Sequence, residues 1–160
     1  MRITVAAVGA AQKSAVAPLI DDYAARITRA APSVGFKSFA IKEIDASRAR
    51  TTPERKADEA ARLRRAIGDE DAIVVLDEHG KTLSSAAFAD WLAARRDSGT
   101  KRTSFLLGGA DGLDESLING ASLQLALGRM TWPHLLARAL IVEQLYRAVT
   151  ILSGHPYHRE

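Results

Sequence analysis

Ser104–Leu113 reads SFLLGGADGL, and Leu125–Leu152 reads LALGRMTWPHLLARALIVEQLYRAVTIL. The first stretch is an apolar run that breaks at a glycine pair and turns again at Asp111-Gly112; the second opens with a shorter apolar run that breaks at Gly128. Short apolar runs that stop at glycine are the pattern of buried strands, and open α/β sheets hold ligands at the loops on the carboxyl ends of such strands. The loops after Leu107 and after Leu127 are therefore expected to line one pocket. Pro133 then opens a helix, at a position where the missing N–H costs nothing and the fixed φ already suits the helix. From there Leu135, Leu136, Ala139, Leu140, Val142, Leu145, Tyr146 and Val149 leave a polar stripe of only Arg138, Glu143, Gln144 and Arg147. A helix apolar over most of its circumference is buried on more than one side. The second side is expected to be another subunit, which makes the protein a homodimer.

Working back from that stretch, strands and helices alternate. Ile3–Val8 reads as a buried first strand, and Ala15–Ala30 as a helix with Val16, Leu19, Ile20, Tyr23 and Ile27 at three-and-four spacing. The mixed pattern of Phe36–Ile44 suits a strand near the sheet edge. Thr52-Pro53-Glu54 starts a helix that runs to Ile67, with Thr52 as its cap. Ala72–Leu76 is a strand buried on both faces, followed by a turn over Asp77–Lys81. Ser84 or Ser85 caps a helix that turns Phe88, Trp91 and Leu92 inward and stops before Gly99. A strand over Ser104–Leu107, a short helix near Asp114, a strand over Leu123–Leu127 and the long final helix complete the chain. The alternation predicts an α/β fold, a single domain over residues 1–160 with a mainly parallel sheet and flanking helices.

At 160 residues the chain can bury roughly two thirds of its unfolded surface. It has no cysteine, which excludes disulfides, thiolate metal sites and a cysteine nucleophile. The apolar run behind Arg2 ends at Gly9, too soon for a secretory signal, and no stretch approaches the roughly 20 apolar residues that span a bilayer. A soluble, cytoplasmic protein without a membrane partner is expected. Basic residues exceed acidic ones by 22 to 19, and seven of them (Arg48, Arg50, Arg55, Lys56, Arg62, Arg64 and Arg65) fall within 18 positions. That cluster fits a polyanion-binding surface and fits a solvated helix face equally well.

The glycine loop Gly108–Gly112 matches neither the dinucleotide fingerprint nor a P-loop. What it offers is main chain that a ligand can approach closely. The four histidines are not spaced as metal ligands, and no metal is expected. His79 reads as a solvated turn residue and His134 as a packed helix-start residue. The tail His155-Pro156-Tyr157-His158-Arg159-Glu160 differs from an ordinary terminus. It concentrates groups suited to stacking on a base, holding phosphate and accepting a proton near neutral pH.

Taken together, LDEHGK, FLLGGADGL, LGRMTWPH, ALIVEQLYRA and the closing HPYHRE resemble the bacterial large-subunit (23S) ribosomal RNA methyltransferases that modify N3 of a pseudouridine. Those enzymes belong to the SPOUT superfamily, and the likeness spans the whole chain. It implies a C-terminal trefoil knot, S-adenosylmethionine as cofactor, a homodimer, and rRNA in the assembled ribosome as substrate. It assigns Leu76, Gly108, Gly109, Leu127, Gly128, Arg129, Met130, Thr131 and Trp132 to the cofactor site. Tyr157, His158 and Arg159 fall to catalysis, with His158 as proton acceptor and Arg159 stabilising the ionised ring. The tail is expected to serve RNA and to add little to the fold. Two other readings of the same residues are a non-catalytic ribosome-binding factor with a vestigial pocket and a flavodoxin-like nucleotide binder.

Overall fold

Along the first strand the side chains of Ile3, Val5 and Ala7 enter one apolar cluster while those of Ala6 and Val8 enter another, as the period-two geometry of a strand requires. The computed structural model describes residues 1–69 and 71–158. In it this strand, β1 (Arg2–Val8), is followed by α1 (Ala17–Ala30), a 3₁₀ turn (Ala31–Val34), β2 (Ser38–Ile44) and α2 (Thr52–Ile67). Then come β3 (Ala72–Thr82), α3 (Ser85–Asp97), β4 (Arg102–Leu107), α4 (Glu115–Asn119), β5 (Leu123–Ala126) and α5 (His134–Ser153). The strands form one sheet in the order β2-β1-β4-β3-β5, and every pairing is parallel. Val5, Val74 and Phe105 pack with α1, α3 and α5 on one face. Ala6, Val75 and Leu106 pack with α2 and α4 on the other. The expected α/β architecture is therefore present, with β2 at an edge. The flavodoxin-like alternative is not supported, because that fold orders its strands 2-1-3-4-5 and here β4 lies between β1 and β3.

Three local expectations are corrected. The cap of α2 is Thr51, one residue earlier than Thr52: its hydroxyl accepts from the Glu54 N–H while the Glu54 carboxylate accepts from the Thr51 N–H, a complete capping box. The turn over Asp77–Lys81 is instead the second half of β3, which pairs with β5 through a register shift between Leu76 and Lys81. Gly80 permits this, since a Cβ there would sit 2.7 Å from the Gln124 carbonyl carbon. The polar stripe of α5 does not include Arg138, which is 1% exposed.

Helix α5 lies between α1 and α3, so most of the cover that its apolar circumference demands comes from the chain itself. The large apolar residues left exposed on these helices are Leu136 on α5 and Leu19 on α1. Among the described residues no helix is long and apolar enough to cross a membrane.

Candidate active site

The carboxyl ends of β3, β4 and β5 open into a cleft of about 750 Å³, a size suited to a small-molecule ligand. Leu76 from β3, Gly108 and Gly109 after β4, and Leu127, Gly128, Met130, Thr131 and Trp132 after β5 all line it. The two loops expected to share a pocket thus do so. Arg129 is exposed and is not among the lining residues. A second cavity of about 240 Å³, between the end of β3 and α5, shares Leu125, Leu127 and Gly128 with the first. The larger cleft, which takes in both glycine-containing loops, is the candidate site.

The two glycines of the β4 loop are needed for different reasons. A Cβ at Gly108 would lie 2.6 Å from the Gly112 carbonyl carbon, because the loop folds back on itself. Gly112, at φ +79°, donates its N–H to the Gly109 carbonyl at 3.1 Å and closes the turn. A Cβ at Gly109 would meet Val8 Cγ1 at 3.1 Å and the Glu59 carboxylate at 3.3 Å. Its vacant side-chain position therefore faces Val8 and Glu59, and protein packing alone disfavours a substituent there.

Side chains pin these loops from outside. Arg55 on α2 grips Asp111 with two hydrogen bonds, Nε to Oδ2 at 2.6 Å and a terminal nitrogen to Oδ1 at 3.1 Å. This fork holds the Asp111 carboxyl below its ordinary value. Thr131 donates to the Glu78 carboxylate at 2.6 Å, which ties the loop after β5 to β3. Glu59, 6% exposed under the glycine loop, accepts from the Ser47 N–H at 2.9 Å.

The cleft also holds polar residues that the sequence reading did not assign to it: Asp77, Glu78 and His79 from β3, Glu115 on α4, Lys56 on α2 and His134 at the start of α5. Asp77 accepts from both the backbone N–H and the ring of His79. The signal for Asp77–His79 was available, since LDEHGK follows an apolar strand at the same sheet edge. Lys56 had no local signal, because α2 reaches the cleft only through the tertiary fold.

Arg138 ties the start of α5 to the sheet. Its guanidinium donates to Glu43 at 2.5 Å and to the carbonyls of Val8 and Gly9 at 3.0 and 2.8 Å. Glu43 in turn accepts from the Ala11 N–H at 2.9 Å. Burial disfavours the charge on Arg138 and Glu43 works against that penalty. The end of β1 is thereby fastened to α5 about one turn beyond His134.

The tail residues lie elsewhere. Tyr157 and His158 do not line the cleft. The Tyr157 ring packs edge-on against Tyr146 at 4.8 Å between centroids, with the Arg147 guanidinium 5.0 Å from its centre. The expectation that the tail adds little to the fold is thus corrected: Tyr157 is half-buried and hydrogen-bonded to α1 and α5. His158 Nδ1 is buried with no hydrogen-bond partner among the described residues. Arg159, expected to stabilise the ionised ring, lies outside the described residues. Among the described residues no group of three or more His, Cys, Asp or Glu side chains could hold a metal ion.

Comparison with known proteins gives a consistent picture. The family described as "Predicted SPOUT methyltransferase" matches residues 1–158. Proteins named Ribosomal RNA large subunit methyltransferase H are similar over 99% of both chains: 48% identical in Rhizobium johnstonii, 49% in Rhizobium meliloti and 46% in Brucella anthropi. The fold is similar to that of a probable methylase family protein from Haemophilus influenzae, with a TM-score of 0.51 at 12% identity over 99% of this chain and 70% of that one.

Proposed function

The chain belongs to the SPOUT methyltransferase family, and on that premise we propose that it transfers a methyl group from S-adenosylmethionine to N3 of a pseudouridine in large-subunit rRNA, acting on assembled ribosomes in the cytoplasm. The observation that carries this reading is the full-length match to the large-subunit rRNA methyltransferases, joined to a ligand-sized cleft at the carboxyl ends of three parallel strands. In this reading the loops after β4 and β5 are parts of a trefoil knot.

The cleft suits the cofactor. Leu76, Leu107 and Leu127 offer apolar contact, and the main chain at Gly128 carries no side chain to block approach. Asp77, Glu78 and Glu115 are acceptors for ribose hydroxyls and a cationic ligand, and Lys56 is a partner for a carboxylate. Bound there, S-adenosylmethionine supplies an electrophilic sulfonium methyl. The chain must hold the uracil ring in line with that methyl and take away the N3 proton. His158 is the proton acceptor in this reading, and Arg159 offsets the negative charge left on the ring.

A homodimer is part of this proposal, and the position of the tail supports it. Tyr157 packs on Arg147, 13 residues along α5 from His134 at the cleft rim, a separation of roughly 20 Å along the helix. A cleft completed by the tail of a second copy satisfies both positions, and exposed Leu19 and Leu136 supply apolar surface for the pairing.

Methyl transfer from labelled cofactor to ribosomes that lack the modification tests the reading. Label at N3 of one large-subunit pseudouridine is the expected result. Tight ribosome binding without label would favour the non-catalytic factor instead.

A further inference from the structure

We propose that Tyr23 on α1 and Glu143 on α5 form a docking site for the C-terminal tail, with Tyr157 as the positioning residue that sets where His158 stands during methyl transfer; this rests on the methyltransferase reading above. The Tyr157 hydroxyl donates to Glu143 Oε1 at 3.1 Å. Its single proton is thereby used, so at the 3.0 Å contact with Tyr23 the Tyr23 hydroxyl is the donor. The Glu143 carboxylate is fixed in turn, by Arg147 at 2.6 and 2.9 Å on one oxygen and by Gln144 at 2.7 Å on the other. A donor chain from α1 through the tail to a clamped carboxylate on α5 leaves the Tyr157 hydroxyl one position.

The segment between helix and anchor is short and constrained. Gly154, at φ +68°, ends α5 in the left-handed region, and the His155 N–H returns to the Thr150 carbonyl at 2.9 Å. Pro156 fixes the next φ, and the Tyr157 N–H meets the His155 ring at 3.2 Å. The Tyr157 ring has Tyr146 at its edge and the Arg147 guanidinium above it. A ring engaged in this way, with its hydroxyl committed, is placed to hold the tail and not to stack on a nucleobase.

Tyr23 is the informative position, because it is 134 residues from Tyr157 and does not line the cleft. The experiment compares the parent with Tyr23→Phe and Tyr157→Phe in full-length protein. It measures methyl transfer to ribosomes, cofactor affinity, and backbone mobility at His158 by heteronuclear NMR relaxation. Tyr23→Phe is expected to raise His158 mobility and to lower kcat about tenfold or more, with cofactor Kd unchanged. Tyr157→Phe, which loses the hydrogen bonds to both Tyr23 and Glu143, should have at least as large an effect. Glu143→Gln, which keeps an acceptor oxygen, should retain more activity than Glu143→Ala. Parent-like mobility in Tyr23→Phe, or raised mobility with parent-like kcat, would overturn the proposal. A parent that binds ribosomes but transfers no methyl group defeats the methyltransferase reading and the positioning role with it, and the relaxation data still decide whether the dock exists.

Discussion

The cleft and the tail dock sit at different stations along α5 and are built from different materials. The cleft is framed by main-chain features: strand ends, the turn from Gly109 to Gly112, and the loop that breaks at Gly128. The dock is made of side chains, with hydroxyls, rings and a carboxylate from α1, α5 and the tail interlocked. Backbone geometry leaves its mark in local sequence, as glycines and the ends of apolar runs. A side-chain network leaves none, because its members pair only after the helices have packed.

Four perturbations should separate the two regions, taken from the largest effect to the smallest. Arg138→Ala, in the helix that both regions share, strands Glu43 and two carbonyls, and should cost about 3–5 kcal/mol in denaturant unfolding. Gly108→Val drives carbon into the Gly112 main chain, and should cost about 3 kcal/mol and abolish cofactor binding while leaving the tail dock intact. Arg55→Lys exchanges a two-pronged grip on Asp111 for a single contact, and should weaken cofactor binding several-fold by titration with little change in melting.

The smallest effect concerns pH and has opposite signs in the two regions. Asp111 titrates below its ordinary value of 3.8 in the folded protein, chiefly through its hydrogen bonds from Arg55. Its contribution is therefore complete above pH 3.8 and fades as pH falls further, through the lowered folded value. Tyr157 titrates above its ordinary value of 10.0, chiefly through burial and then through Tyr23. Its contribution is complete below pH 10.0 and is lost as pH rises through the raised value. Acid should loosen the glycine loop first and alkali the tail first, measured by amide exchange at Gly112 and by relaxation at His158.

The same contrast explains which parts of the molecule were legible in the sequence. The glycine pair after Leu107 and the break at Gly128 mark both cleft loops in the sequence itself, because strand ends at a parallel sheet edge have a fixed relation to ligands. Asp77–Lys81 looked like a turn by composition, and only the close approach of Gly80 to Gln124 turns it into strand. Arg138 looked like part of a solvent stripe, since nothing local says that Glu43, 95 residues away, will meet it. Tyr157 looked free to stack on RNA for the same reason: Tyr23 enters its surroundings from the far end of the chain.

In this protein the cofactor is expected to be held by the cleft and not by the tail. Calorimetric titration of S-adenosylmethionine into the parent, into Gly128→Val and into a chain lacking residues 157–160 tests it directly, with circular dichroism to verify that each is folded. The parent and the truncated chain should share the same Kd, and Gly128→Val should give no binding heat. Parent-like binding by Gly128→Val, or loss of binding on truncation alone, would contradict it.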